Sequence, residues 1–339
     1  MEYLSLYGLF LAKIFTIVIL VVLIVFFTFG IGIKRYESKG FLKIIKLNKK
    51  YLEYQRKIKH VKMNDSEKKI WLKKIKKQQK LKLKNRKNNL KLGNLLKKPC
   101  LYVLDFKGSI NANEVISLRE EITAILSVIE KEDEVLLRLE SSGGIVSAYG
   151  LAASQLMRIK EKNIPLTIVV DKIAASGGYM MACIADTIIA APFSIIGSIG
   201  VVAQIPNFYK LLKKYNIDIE LHTAGEYKRT LTLLGKNTEE GRKKFIEDLN
   251  STHKLFKDFV HKNRPLLDIE SLSTGEYWYG QDALNKGLID KIGVSDDIIM
   301  NSIKNKKVIS INYSINRKIL YRLTDNITKN INKFLWNNL

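Results

Sequence analysis

The stretch from residue 165 to residue 200 constrains the fold of this 339-residue chain more than any other. Its β-branched run Leu166–Val170 has the length and composition of a buried strand. A turn of small residues follows, Ala174-Ala175-Ser176-Gly177-Gly178, and a short apolar helix is predicted from there to Ala185. A strand that passes into a helix through such a turn is typical of α/β proteins.

Strands and helices alternate through the region that surrounds this stretch. Strands are predicted at 101–106, 135–139 and 166–170, and helices at 113–130, 145–156 and 238–263. The order predicts βαβ units and a mainly parallel sheet, with Asn113 capping its helix. Active sites of such sheets gather beyond the carboxyl ends of the strands. Gly143-Gly144 and Gly177-Gly178 both fall there, so their N–H groups should surround one point.

Ser176 has two interpretations at the start of its helix. As a nucleophile, its hydroxyl stands clear of the backbone while adjacent N–H groups point to where an oxyanion forms. As an ordinary N-cap, the hydroxyl accepts a hydrogen bond from the first helical turn. The second glycine pair, at an equivalent strand end, favours the nucleophile.

A nucleophilic serine needs a base, and the sequence offers two candidates. None of the four histidines has a zinc-type spacing, although His222, after a short strand predicted at 217–221, is in principle available. Lys228 is the second candidate, because a buried lysine can be neutral and accept a proton. Ser–Lys pairs are an established variant of the catalytic triad. On composition alone, Lys228 is one more solvated surface charge.

The N-terminal run from 14 to 33 is apolar over about the twenty residues that a helix needs to cross a bilayer. Lys34-Arg35-Tyr36 follows at once, without a small-x-small cleavage site, which argues against a cleaved signal peptide. We therefore expect an uncleaved anchor over 1–34. A second apolar stretch, 184–205, contains Asp186 and Pro192 and is expected to be internal.

The net charge of +24 invites a nucleic-acid function. Lys, Asn and Ile are abundant while Ala, Arg and Pro are scarce, so much of this charge is attributed to the composition of an AT-rich genome. In the lysine-rich linker 35–98, neither a recognised nucleic-acid module nor a regular interleaving of aromatic and basic residues accompanies the charge, which favours contact with anionic lipid head groups over nucleic acid. Cys100 and Cys183 form neither a disulfide framework nor a metal cluster, and no metal or cofactor is expected.

Five stretches together resemble the signal peptide peptidase A and SohB family of peptidases. They are Glu140-Ser141-Ser142-Gly143-Gly144, the segment 172–179 around Ser176, the segment 194–201, Ala224-Gly225-Glu226-Tyr227-Lys228, and the block 274–290. Their order and spacing are highly specific, and they cover about residues 99–295. Ser142 departs from the pattern, since many relatives have proline there.

The resemblance implies a ClpP/crotonase-like α/β fold of repeated ββα units, preceded by a transmembrane helix and assembled into a homo-oligomer. Residues 99–300 would form the catalytic domain, and 301–339 an amphipathic tail. Ser176 would be the nucleophile and Lys228 the general base. Gly143 or Gly144, with Gly177, would form the oxyanion hole, and Ser198 would orient the lysine. The substrates would be membrane-associated or signal-peptide-like peptides.

Two other classes of function fit part of the sequence. A crotonase-like acyl-CoA enzyme shares the paired-glycine geometry but needs carboxylates near the site and no membrane anchor. A non-catalytic membrane scaffold would tolerate loss of Ser176 or Lys228, and both are present. The positive-inside rule places the catalytic domain in the cytoplasm. Relatives act on the outer face of the bacterial inner membrane, and we expect the periplasmic face.

Overall fold

The computed structural model describes residues 2–32, 40–91 and 98–315. It divides into two compact units, of which the larger is Leu42–Ser314. The smaller unit contains helix α1 (Glu2–Gly32). Among the described residues, no helix combines the length and the mean hydropathy of a membrane span. The transmembrane anchor expected over 1–34 is therefore unsupported by the structure.

The remaining helices are α2 (Leu47–Lys62), α3 (Asp65–Lys91), α4 (Val115–Leu126), α5 (Val146–Lys160), α6 (Gly177–Ala182), α7 (Tyr209–Lys214), α8 (Glu239–Asn263), α9 (Ile269–Leu272), α10 (Gly280–Asn285) and α11 (Ser295–Asn305). The strands are β1 (Phe41–Lys46), β2 (Cys100–Lys107), β3 (Glu134–Glu140), β4 (Leu166–Val170), β5 (Ile173–Ala175), β6 (Thr187–Ala190), β7 (Ile195–Gly197), β8 (Tyr277–Tyr279), β9 (Lys291–Ile292) and β10 (Lys307–Ser314).

The strands form two sheets. The larger has the order β1-β10-β2-β3-β4-β6-β9, and its pairs from β10 to β9 are parallel. The smaller has the order β5-β7-β8. The chain passes from β4 of the larger sheet to β5 of the smaller sheet and then into α6, and likewise from β6 to β7. At the end of β3, a single parallel bridge joins Ser141 to Ala174 of β5. The α/β class, the parallel sheet and the ββα order are confirmed.

Both faces of the large sheet are buried, which explains why its strands are nearly continuous apolar runs. One face packs against α4, α5 and α6 in the main core cluster. The opposite face forms a smaller cluster in which Leu47 of α2 and Ile299 of α11 cover Val103 and Leu136. Each such side chain contributes about 1.5–3 kcal/mol on burial.

Local details differ from the sequence predictions in two places. Helix α4 has Glu114 at its N-cap position without a side-chain cap, so Asn113 is not the cap. Glu114 instead accepts hydrogen bonds from the N–H and hydroxyl of Ser109. Residues 217–221 are irregular and exposed, and the strand predicted there is wrong. The long helix is confirmed as α8, and Thr238 caps it by accepting from the Gly241 N–H at 3.0 Å.

The folded unit extends past both predicted boundaries of the catalytic domain. Strand β10 pairs in parallel with β2, so the sheet continues beyond residue 300 to Ser314. At the other end, Asn48 of α2 donates to the carbonyls of Ile303 and Lys306, and accepts from the Val308 N–H at 2.7 Å. The start of the basic segment is thus part of the α/β unit. The tail from residue 316 lies outside the described residues.

Glu121 gives the fold a pH dependence. Its side chain is 2% exposed on α4, and its carboxylate accepts from the Tyr313 N–H at 2.6 Å. Burial, with a smaller contribution from nearby Asp105, raises the pKa of Glu121 from 4.5 to about 7. The folded chain therefore holds this proton more tightly than the unfolded chain, and the free energy of unfolding falls as pH rises between these values.

We expect Glu121→Gln to remove this loss, because glutamine keeps the acceptor without the buried charge. Between pH 5 and pH 8 the wild type should lose on the order of 1–3 kcal/mol relative to the variant. Denaturant unfolding of the full chain in mild detergent measures it. Exposed Glu120→Gln is the matched control and should leave the pH dependence unchanged. Parallel pH curves for wild type and Glu121→Gln would contradict the prediction.

Candidate active site

Ser176 sits in a strained turn between β5 and α6. Its backbone has φ 52° and ψ −118°, a conformation that residues with a Cβ rarely adopt. The turn is held because the Ser176 N–H donates to the Gly197 carbonyl at 2.8 Å and its carbonyl accepts from the Met180 N–H at 3.0 Å. The side chain does not cap the helix. The structure thus rejects the N-cap interpretation and leaves the hydroxyl uncommitted to any described residue.

The two glycine turns meet at Ser176, as the sequence predicts. Gly143 has φ 90°, and a Cβ placed on it would lie 2.8 Å from the Ser176 Cβ and 2.8 Å from the Gly177 nitrogen. A Cβ on Gly144 would lie 2.0 Å from the Ile110 carbonyl oxygen. Both positions therefore require glycine, because any side chain would force the strand ends apart.

The N–H groups of these glycines are not equivalent. The Gly143 N–H donates to the Ser141 hydroxyl at 3.1 Å and is already used. The N–H groups of Gly144 and Gly177 have no acceptor among the residues that the structure describes. Of the expected oxyanion donors, Gly144 and Gly177 thus have N–H groups available for a ligand, whereas the N–H of Gly143 is engaged within its own turn.

Tyr149 supports both turns, and sequence reasoning missed it. Its hydroxyl donates to the Ser109 carbonyl at 2.8 Å and lies 2.5 Å from the Ser141 hydroxyl. Protons therefore point one way along a chain, from Gly143 through Ser141 and Tyr149 to Ser109. The Tyr149 ring packs on Gly177, where a Cβ would stand 2.4 Å from it. In the sequence, Tyr149 cannot be told from an ordinary core aromatic residue.

Burial keeps this hydrogen-bond chain intact. Tyr149 is fully buried and Ser141 is 2% exposed. Desolvation raises the pKa of Tyr149, so its hydroxyl stays protonated and remains a donor. A buried chain whose every member is paired fixes a single backbone geometry, because each alternative leaves a polar group unsatisfied.

Within one chain, Lys228 forms no hydrogen bond with Ser176. Lys228 lies in the irregular segment between α7 and α8, where its side chain is exposed and makes no hydrogen bond or ion pair with a described residue. Ser198 has φ 51°, and its N–H donates to the Glu276 carbonyl, but no hydrogen bond joins it to Lys228. His222 is exposed beside Glu220 and is not paired with Ser176.

A groove of about 300 Å³ lies at the ends of β2, β3 and β4. Its charged groups satisfy each other: Arg138 pairs with Asp105, and Glu140 pairs with Lys107 and Lys172. The Lys107 ammonium lowers the pKa of Glu140 below its ordinary value. No group of side chains suited to hold a metal ion occurs in the described part of the chain.

Comparisons with known proteins identify the family of the chain. Residues 2–156 match the family described as Peptidase family S49 N-terminal, and residues 158–309 match Peptidase family S49. The chain is a serine-type peptidase and belongs to family S49.

Its relatives place it among the SohB-type members of that family. It is 55% identical, over 96% of its length and 94% of the relative, to "Probable protease SohB" of Buchnera aphidicola subsp. Schizaphis graminum. It is 50% identical, over 93% of its length and 90% of the relative, to "Probable protease SohB" of Haemophilus influenzae. The solved structure of a mutant "1510-N membrane-bound stomatin-specific protease" is 15% identical, with a TM-score of 0.43 over 63% of this chain and 98% of its own.

We expect Tyr149→Phe to lower kcat for peptide hydrolysis about 10–100-fold with little change in KM. The loss of the hydroxyl releases Ser141, and with it the turn that positions the free Gly144 N–H beside Ser176. Hydrolysis of a generic fluorogenic peptide, with kcat and KM determined separately, measures it.

Tyr179→Phe is the matched control for Tyr149→Phe. Tyr179 is also fully buried, and its hydroxyl donates to the Leu288 carbonyl at 2.9 Å. Both variants should lose about 1–3 kcal/mol of stability from the same chemical deletion. Only Tyr149→Phe should have a lower kcat. An equal decrease of kcat in both variants would show that the tyrosine hydroxyls affect activity only through stability.

Proposed function

We propose that this peptidase is a serine endopeptidase in which Ser176 is the nucleophile and Lys228 the general base. The observation that carries the proposal is the strained turn at Ser176, whose free hydroxyl adjoins two N–H groups without acceptors among the described residues. Strain of this kind persists where the surroundings enforce it, and it is common at catalytic residues. A non-catalytic scaffold has no need of such a turn.

The residues support a two-step acyl transfer. The Lys228 amine takes the Ser176 proton as the serine oxygen bonds to the scissile carbonyl carbon. The N–H groups of Gly144 and Gly177 stabilise the resulting oxyanion, and each such donor is worth about 10²–10³ in rate. The C–N bond then breaks, and the lysine ammonium protonates the leaving amine. Water hydrolyses the acyl ester by the same route.

We propose that a second copy of the chain completes the site. A lysine base needs a desolvated environment, whereas Lys228 is exposed in the single chain. The segment 201–238 also exposes many large apolar side chains, more than an isolated chain tolerates without a partner. They include Val202, Phe208, Leu211, Tyr215, Ile217, Leu221, Tyr227, Leu233 and Leu234. Packing of this segment on another copy would bury it and bring Lys228 to a neighbour's Ser176.

We expect Ser176→Ala and Lys228→Ala each to abolish peptide hydrolysis, and their co-expression to restore part of it. In a mixed oligomer, the intact serine of one variant meets the intact lysine of the other. Differently tagged chains, purified through both tags and assayed on a fluorogenic peptide, measure the restored activity. A fluorophosphonate probe should label wild-type Ser176 and neither variant alone.

The outcomes of the mixing experiment separate the two parts of the proposal. If both variants are inactive and the mixture stays inactive although the copies associate, the dyad lies within one chain. Activity that survives in Ser176→Ala would exclude Ser176 as the nucleophile. The double variant, purified with wild type through the same two tags, controls for association alone.

We propose that the enzyme is attached to the bacterial inner membrane through its N-terminal segment and cleaves membrane-associated or signal-peptide-like peptides. The apolar run 14–33 in the sequence supports the attachment. Seven Lys or Arg residues follow this run at positions 34–50, whereas Lys13 is the one Lys or Arg among residues 1–13. Residues 99–315 carry 26 basic and 27 acidic residues, so composition does not explain this excess. The positive-inside rule therefore favours the cytoplasmic face, although the resemblance implied the periplasmic face.

We expect the full chain to remain in the membrane pellet after alkaline carbonate extraction, and a chain that lacks residues 14–33 to be released. Added protease should digest the α/β unit only after spheroplasts are lysed, if it faces the cytoplasm. A periplasmic marker controls for access. Digestion in intact spheroplasts would establish the periplasmic face instead.

A further inference from the structure

Most of the positive charge of the chain lies in one segment. Residues 34–98 carry 25 Lys or Arg and only 4 Asp or Glu. Residues 99–315, encoded by the same genome, carry 26 Lys or Arg and 27 Asp or Glu. A bias in base composition would act on both segments alike. The charge of 34–98 therefore requires an explanation of its own, which the base composition of the genome does not provide.

Helix α3 presents this charge as a stripe. At 100° per residue, six of the α3 lysines whose side-chain exposure the structure describes fall within about 100° of arc. They are Lys69, Lys73, Lys76, Lys77, Lys80 and Lys84, and all six are exposed. We call these six residues the lysine stripe. The half-buried residues Lys68, Trp71 and Ile75 lie on the opposite side of the helix. The stripe is about 22 Å long at 1.5 Å per residue.

The charges of the lysine stripe are not neutralised within the described part of the chain. Asp65 and Glu67 are the acids of α3, and both lie in its first turn. There, Glu67 accepts from the Asn64 N–H and Asp65 pairs with Lys68. No lysine of the stripe forms an ion pair with a described residue. Six like charges on one face repel each other, so the helix gains free energy when an anionic surface covers it.

We propose that the lysine stripe of α3 docks on the anionic phospholipid head groups of the membrane that carries the enzyme. This inference rests on the proposed membrane attachment, because the basic segment begins one residue after the apolar run 14–33. A juxtamembrane Lys or Arg gains about 1 kcal/mol at an anionic lipid surface. Lysine, a hydrated point charge, suits a fluid layer of phosphates that offers no fixed geometry.

Nucleic acid is the less suitable partner for the same charges. Single-stranded nucleic acid is held by aromatic platforms between basic residues, and Trp71, the aromatic residue of α3, lies on the side away from the stripe. The docked helix would hold the start of α2, and through Asn48 the α/β unit, close to the bilayer that delivers its substrates.

The test uses the full chain in lipid nanodiscs of neutral phosphatidylcholine, or of phosphatidylcholine with phosphatidylglycerol. Lysines are acetylated with an N-hydroxysuccinimide ester, and the rate at each site is read by mass spectrometry. The lysines of the stripe should react about fivefold more slowly in anionic discs, the equivalent of about 1 kcal/mol each. The difference should vanish at high salt because the charges are screened.

Two variants of equal charge change control the measurement. Lys73, Lys76, Lys77 and Lys80 are replaced together by glutamine in the first, which should remove the protection of Lys69 and Lys84. The second replaces four exposed lysines of the α/β unit, Lys131, Lys162, Lys243 and Lys254, and should leave the protection intact. Incorporation into neutral discs reports membrane attachment separately, so failure of that proposal is distinguishable. Equal rates in the two kinds of disc, or stronger protection by an added oligonucleotide than by phosphatidylglycerol, would overturn the lipid assignment.

Discussion

The hydrogen-bond chain that begins at the Gly143 N–H is the interaction on which the proposed catalytic centre depends. It passes through the hydroxyls of Ser141 and Tyr149 and ends on the Ser109 carbonyl. It thereby ties the ends of β2 and β3 to helix α5. Because the Tyr149 ring also packs on Gly177, one buried residue sets the separation of the two turns on either side of Ser176. The strained backbone of Ser176 is tolerated because these neighbours leave it no alternative.

Much of this arrangement could be read from the sequence, since it follows from local pattern. The strand at 166–170 occurs where its β-branched run predicts, and the parallel sheet follows from the alternation of elements. The two glycine pairs converge because β5, which lies between β4 and the serine turn, forms a parallel bridge with the end of β3. The serine turn followed from the small residues around it.

The remainder depended on contacts between distant residues. The hydroxyl of Tyr149 meets Ser109, 40 residues earlier in the chain, and no periodicity marks such a contact. Asn113 is a residue type that favours the N-cap position, but Glu114, whose carboxylate is hydrogen-bonded to Ser109, occupies that position instead. Residues 217–221 have strand-like composition but pair with no strand in the described part of the chain, so propensity alone did not decide their structure. The use of the Gly143 N–H within its own turn was likewise invisible without coordinates.

The order of the large sheet has a consequence for synthesis. Strand β10, near the end of the folded unit, lies between β1 and β2, which leave the ribosome more than 200 residues earlier. Until β10 emerges, β2 is an open edge, and Asn48 lacks its partners at Ile303, Lys306 and Val308. Closure by a late, long-range strand is slow and cooperative. A nascent chain therefore cannot close this sheet until residues 307–314 have left the ribosome, so a chain that is still being synthesised up to that point carries no completed protease fold.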